Sequence, residues 1–178
     1  MNPRDEILAR VRTALPPAVA LPEMPAFARG DLGRLAPFEA FAAALQRMGG
    51  KVAEPVAPGE FERWLRGCFP DAKVVCSAVP EVAGNRALDA LRHPRELEDV
   101  DVGVVRAAFG VAETGSVLLT EAELKVEAIG FLPQHLVVLL DPARIVATLH
   151  DGYRAAAFAR ARYAIFMTGP SATADIEG

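Results

Sequence analysis

The chain has 178 residues, 52% hydrophobic and 24% charged, with a formal net charge of −4. This is the composition of one globular domain with ample material for a core. The acidic balance and the absence of any Lys/Arg block exclude a nucleic-acid surface, and no apolar run reaches the roughly 18–20 residues of a membrane span. The N-terminus carries charges at Arg4, Asp5 and Glu6 and lacks the apolar stretch of a secretory signal, so none is expected. The two cysteines, Cys68 and Cys76, have no metal-ligand spacing, so no metal site is expected, and they read as buried thiols of a cytoplasmic protein.

Asn2-Pro3-Arg4-Asp5-Glu6 opens a helix, with Asn as cap, Pro in the first turn and acids after it. Ile7, Leu8, Val11 and Leu15 form its apolar stripe. Residues 1–15 are therefore an amphipathic arm, docked on its own domain or offered to a partner subunit. Pro16, Pro17, Pro22 and Pro25 make 16–34 an extended linker. The main body, 35–178, begins with a helix over 37–48 that turns Phe38, Phe41, Leu45 and Met48 inward and closes at Gly49-Gly50. A short strand is expected over 51–55. A second helix over 59–69 buries Phe61, Trp64, Leu65 and Phe69, and a strand follows at 73–78. The segment 80–98 reads as loop and short helix, with His93 exposed and no second ligand near it.

A strand at 101–107 leads into Ala108-Phe-Gly-Val-Ala-Glu-Thr-Gly-Ser-Val-Leu-Leu-Thr120, two apolar runs joined at a polar Glu-Thr-Gly-Ser corner. After one or two helical turns in 121–130, the near-continuous apolar run of 132–140 suits a strand covered on both faces. Thr148 and Asp151 are spaced as a capping box, with Leu149, Tyr153, Ala156 and Ala157 facing inward. A last strand over 163–168 turns at Gly169-Pro170-Ser171 toward a helix start. Alternating helices and short strands give an α/β fold with a mainly parallel sheet flanked by helices, behind the N-terminal helical arm.

Gly110-Val-Ala-Glu-Thr-Gly-Ser-Val-Leu-Leu-Thr120, Leu132-Pro-Gln-His-Leu-Val-Val-Leu-Leu140, Arg144-Ile-Val146 and Thr168-Gly-Pro-Ser-Ala-Thr-Ala-Asp-Ile-Glu177 together resemble the lactate utilization protein C family of LUD-domain proteins. The Arg4–Arg10 helix is similar to the family's opening helix. The resemblance implies the fold of the superfamily of ribose-phosphate isomerase, glucosamine-phosphate deaminase and CoA-transferase. It also implies a part in oxidising L-lactate to pyruvate alongside two iron–sulfur partner proteins, with no redox cofactor in this chain. Two departures stand out. Leu124–Phe131 lacks the family's Arg- and Leu-rich turn, and members continue past Asp-Ile-Glu into a further strand, so either the domain continues beyond residue 178 or this protein lacks part of the family's usual site.

No complete catalytic set is legible. Nothing brings Ser116 or Ser171 to His135 or His150 as a Ser–His–Asp site requires. Two cysteines cannot hold an iron–sulfur cluster, and no Gly-x-Gly-x-x-Gly is present. Capture of a small carboxylate remains. Backbone N–H groups at a helix start after Gly169 and the hydroxyls of Thr114, Ser116, Thr168, Ser171 and Thr173 are the donors, Gly115 allows close approach, and Arg106 and Arg144 are the candidate cations. The competing reading makes Ser171 or Thr173 an ordinary helix cap, with Asp175 and Glu177 as first-turn acids. Glu113 is the candidate catalytic residue. Its corner is similar to the Glu-Asn-Gly corner of CoA-transferases, which makes it a nucleophile in a stand-alone acyl-CoA or sugar-phosphate enzyme. The alternative is a buried carboxylate held by backbone and hydroxyl groups.

Overall fold

The computed structural model describes residues 2–17, 19, 20, 22, 35–57 and 59–170. Its elements run α1 (Pro3–Ala14), α2 (Pro37–Arg47), α3 (Phe61–Cys68), β1 (Val75–Ser77), β2 (Val102–Arg106), β3 (Phe109–Val111), β4 (Ser116–Thr120), α4 (Glu121–Leu124), β5 (His135–Leu139), β6 (Ile145–Val146), α5 (Leu149–Arg154), α6 (Ala156–Arg160) and β7 (Ala164–Met167). The Asn2 side chain caps α1 as expected, accepting from the Arg4 N–H at 3.1 Å. This helix buries none of its residues, and Ile7, Val11 and Leu15 are exposed.

The α/β architecture is present, but the strands divide into two sheets. One has the order β1-β2-β5 and is wholly parallel. The other has the order β6-β3-β4-β7, with β3–β6 parallel and the β3–β4 and β4–β7 pairs antiparallel. The split follows from the corner at 112–115, which folds β3 back on β4 as a hairpin where a parallel sheet would need a long crossover.

Period-two alternation distributes the core over three regions. Val105 of β2 and Val117 and Leu119 of β4 meet in a core shared by the two sheets, together with Phe41, Leu124 and Ile129. Val102 and Val104 point the other way, onto Leu65, Phe61 and Trp64 of α3. Phe109, Val111 and Leu118 pack on the opposite side against Leu149, Phe158 and Phe166. Trp64 is thus a packing residue, as its place in the helical stripe suggests.

Several expectations need correction. Residues 51–55 form no strand, since no neighbouring strand takes up their backbone groups. The run 132–140 yields only β5, a half-buried edge strand; the strand with both faces covered is the central β2. On α2 the buried residues are Ala40, Phe41 and Ala44, while Phe38 and Met48 are exposed, because the helix lies against the body on its alanine side. Tyr153, Ala156 and Ala157 are exposed: the chain leaves helical geometry at Ala155 (ψ 139°), splitting the helix and turning Phe158 inward instead. Of the two thiols only Cys76 is buried; Cys68 is exposed.

Candidate functional site

The Glu-Thr-Gly-Ser corner and the turn after β7 meet. Because β3–β4 and β4–β7 are both antiparallel, the carboxyl ends of β3 and β7 reach the same end of the sheet. Val111 is opposite Ser116, and Met167 is opposite Val117. The Thr168 hydroxyl donates to the Gly115 carbonyl at 3.1 Å and approaches the Thr114 carbonyl at 3.5 Å, tying one corner to the other. Within the hairpin the Gly115 N–H returns to the Val111 carbonyl at 2.9 Å, and the Ala112 and Glu113 N–H groups donate to Val146 and Ala147 of the β6 end.

The glycines of both corners serve the approach of α2. Gly115 has φ +66°, and a Cβ there would stand 2.2 Å from the Leu45 nitrogen; Gly169 has φ +57°, and a Cβ there would stand 2.1 Å from the Met48 carbonyl oxygen. Backbone atoms of the helix end thus occupy the space that a ligand approaching either glycine would need. Gly49, at φ +81° just past the helix, lies against the Pro170 ring.

Glu113 is exposed, so the expectation of a buried carboxylate fails. Its Oε2 accepts from the Leu149 N–H at 2.9 Å, the first residue of α5. Thr148 and Asp151 form the capping box at the same helix start: the Thr148 Oγ1 accepts from the Asp151 N–H at 3.2 Å, and the Asp151 carboxylate accepts from the Thr148 N–H and hydroxyl. Glu113 therefore supplies a second acceptor to helix-terminal donors that lack intrahelical partners. The capping box is legible in the sequence; the link to Glu113, 36 residues away, has no local signal.

Thr114 stands apart from these committed groups. Its Oγ1 is buried and makes no hydrogen bond, the one such side-chain atom among the described residues. Ser116 is buried at the start of β4. Arg106 and Arg144 are not at the corners. Arg106 ends β2 and pairs with Glu81; Arg144 precedes Ile145, which is opposite Gly110, so both lie toward the start of β3. Ser171, Thr173, Asp175 and Glu177 lie outside the described residues. Ser116 and His135 belong to different sheets, and His135 packs on Phe69 in a tilted ring contact with centroids 4.7 Å apart.

A two-sheet α/β body with these joined corners is one class of domain, and its family is identifiable. Residues 87–178 match the LUD domain, slightly more than half of the chain, and the protein belongs to that family. Membership implies a role in lactate utilization. A crystal structure of a DUF162 family protein from Deinococcus radiodurans is similar, with a TM-score of 0.55 and 18% identity, covering 81% of this chain and 90% of that one; at this identity the likeness shows the fold. No curated protein matches the chain significantly.

Proposed function

We propose that this chain is the non-redox subunit of a cytoplasmic system that oxidises L-lactate to pyruvate, a lactate utilization protein C-like component working with iron–sulfur partner proteins. The observation that carries this reading is the LUD match over 87–178, which contains both strings brought together at the ends of β3 and β7. The cysteine placement supports locating the clusters elsewhere, since Cys68 lies on α3, Cys76 is buried in β1, and a cluster needs four thiolates. In this reading the chain supplies a preorganised corner, and electrons pass through the partners.

The stand-alone acyl-CoA or sugar-phosphate reading gains nothing from the geometry. A nucleophilic carboxylate must be free to reach an acyl carbon, and Glu113 is engaged at the α5 start. Deleting the gene should abolish growth on L-lactate and leave growth on glucose intact. Undiminished growth on lactate would sink the proposal.

A further inference from the structure

A second polar region borders the shared core. At the carboxyl end of β1, a groove of about 500 Å³ is lined by Ser77, Arg86, Leu88, Asp89, Lys125 and Val126 among others. The carboxyl ends of parallel strands are where open α/β sheets receive ligands. The segment through Arg86 extends this edge: it bridges Cys76 in parallel and donates its N–H to the Val75 carbonyl.

The polar groups here fall into two sets. Ser77 and Arg86 are committed. The Ser77 hydroxyl bonds both backbone groups of Val79 at 3.0 Å. The Arg86 guanidinium is clamped by the two carboxylate oxygens of Asp99 at 2.9 and 2.7 Å and by the Glu96 carbonyl. Asp89 and Lys125 are not committed. They are opposite charges on one groove, both exposed, and neither forms an ion pair with the other or with any described residue. Leu88 and Val126, which pack on the shared core, give the groove an apolar floor.

Lys125 also holds an unusual backbone. At φ 62° and ψ −50° it is the one non-glycine residue with positive φ among the described residues. The Val126 N–H donates to the Leu124 carbonyl at 2.7 Å, which makes Lys125 the centre of a classic-type γ-turn, a rare and strained conformation. The chain must reverse here because Leu124 and Ile129, both fully buried, pin the two sides. Glycine would meet that demand with less strain. The position instead carries an ammonium group at a groove that has an unpaired carboxylate.

We infer that this groove binds a small carboxylate bearing a hydrogen-bond donor on the adjacent carbon, a 2-hydroxy or 2-amino acid, with the Lys125 ammonium holding the carboxylate and Asp89 accepting from the donor. A bare anion fits less well, because Asp89 repels it with nothing returned. The short carbon body rests on Leu88 and Val126. The inference stands on the groove alone and does not depend on the subunit reading, which the deletion strain tests separately.

Calorimetry on the full chain, titrated with L-lactate, L-alanine and propionate, tests it. Propionate has the same carbon skeleton as the other two without the donor, and the first two arms separate a hydroxyl from an amine. At least one of the first two should bind at about millimolar strength, as expected for so few contacts, and at least tenfold more tightly than propionate. Lys125→Gly relieves the γ-turn, so the variant folds with an unchanged or higher Tm, and binding should fall at least tenfold. Asp89→Ala should bring the preferred ligand down to the level of propionate. No binding by either 2-substituted acid, propionate binding as tightly as both, or binding unaltered in Lys125→Gly overturns the inference.

Discussion

The joined corners and the Lys125 groove are both rich in polar residues at strand ends, yet they use them in opposite ways. At the corners nearly every group has a protein partner: Thr168 on Gly115, Glu113 on Leu149, and the two glycines against the backbone of α2. At the groove the two opposite charges are left unpaired, and one of them, Lys125, sits on a strained turn. A conspicuous Glu-Thr-Gly-Ser string is therefore first a folding device here, one that closes a hairpin and seats a helix. The less conspicuous segment around Lys125 carries the open chemistry. The buried, unpartnered Thr114 hydroxyl is the one feature of the corners that resembles the groove.

Substitutions can break this contrast. The largest effect is expected at Gly115→Ala or Gly169→Ala. Each places a methyl group inside backbone atoms of α2 at a positive φ. A loss of about 3 kcal/mol or more in urea unfolding is the expected result; a loss under about 1 kcal/mol would mean that α2 does not sit on the corners. Thr168→Val is a smaller probe. It removes the donor to the Gly115 carbonyl and should cost about 1 kcal/mol.

Acid unfolding sharpens the comparison by showing what a fully engaged carboxylate does outside both regions. Asp101 accepts from the Lys73 and Val74 N–H groups at 2.7 and 2.8 Å, and those backbone bonds hold its pKa below the ordinary aspartate value. Glu121 is held low in the same way by the N–H groups of Arg162 and Tyr163. In the unfolded chain both take up protons at higher pH than in the fold. Their stabilisation is therefore complete above the ordinary carboxylate values near pH 4 and is lost as pH falls through the depressed folded values. Asp101→Asn should flatten the acid limb of a stability–pH curve below about pH 4 and leave its slope above pH 6 unchanged. An unchanged acid limb would show that these backbone bonds do not form in solution.

The smallest effect is expected from Thr114→Val. Because the hydroxyl has no partner, its replacement by a methyl of the same shape should be neutral or stabilising by up to about 1 kcal/mol. Destabilisation comparable to Thr168→Val would show that Thr114 is bonded after all, and would erase the distinction drawn between the two threonines.

Much of the fold was legible because its determinants are local. Asn2 and Thr148 announce their helices through cap spacing, and Phe61, Trp64 and Leu65 mark the inward face of α3 by helical period. The Glu113 and Thr168 corners are each visible as polar strings at strand ends, while their meeting depends on the antiparallel pairing of β4 with both β3 and β7. What escaped the sequence depends on partners far along the chain. Whether an apolar run such as 135–139 is central or at an edge is decided by its neighbours in the sheet, and that neither Arg106 nor Arg144 reaches the corners follows from strand register. The γ-turn at Lys125 has no glycine or asparagine to signal it, since it is imposed by burial of Leu124 and Ile129 on either side. The irregular segment Leu124–Phe131 was visible as a departure from the family pattern, and that departure was the one available pointer to the groove.

The most direct test of the central claim is biochemical complementation. An extract of the deletion strain, supplied with L-lactate and an artificial electron acceptor, is assayed before and after addition of the purified chain. Little lactate-dependent acceptor reduction is expected in the extract alone, with restoration when the chain is added and no reduction by the purified chain by itself. Full activity in the deletion extract, or lactate oxidation by the isolated chain, would contradict its assignment as a non-redox subunit.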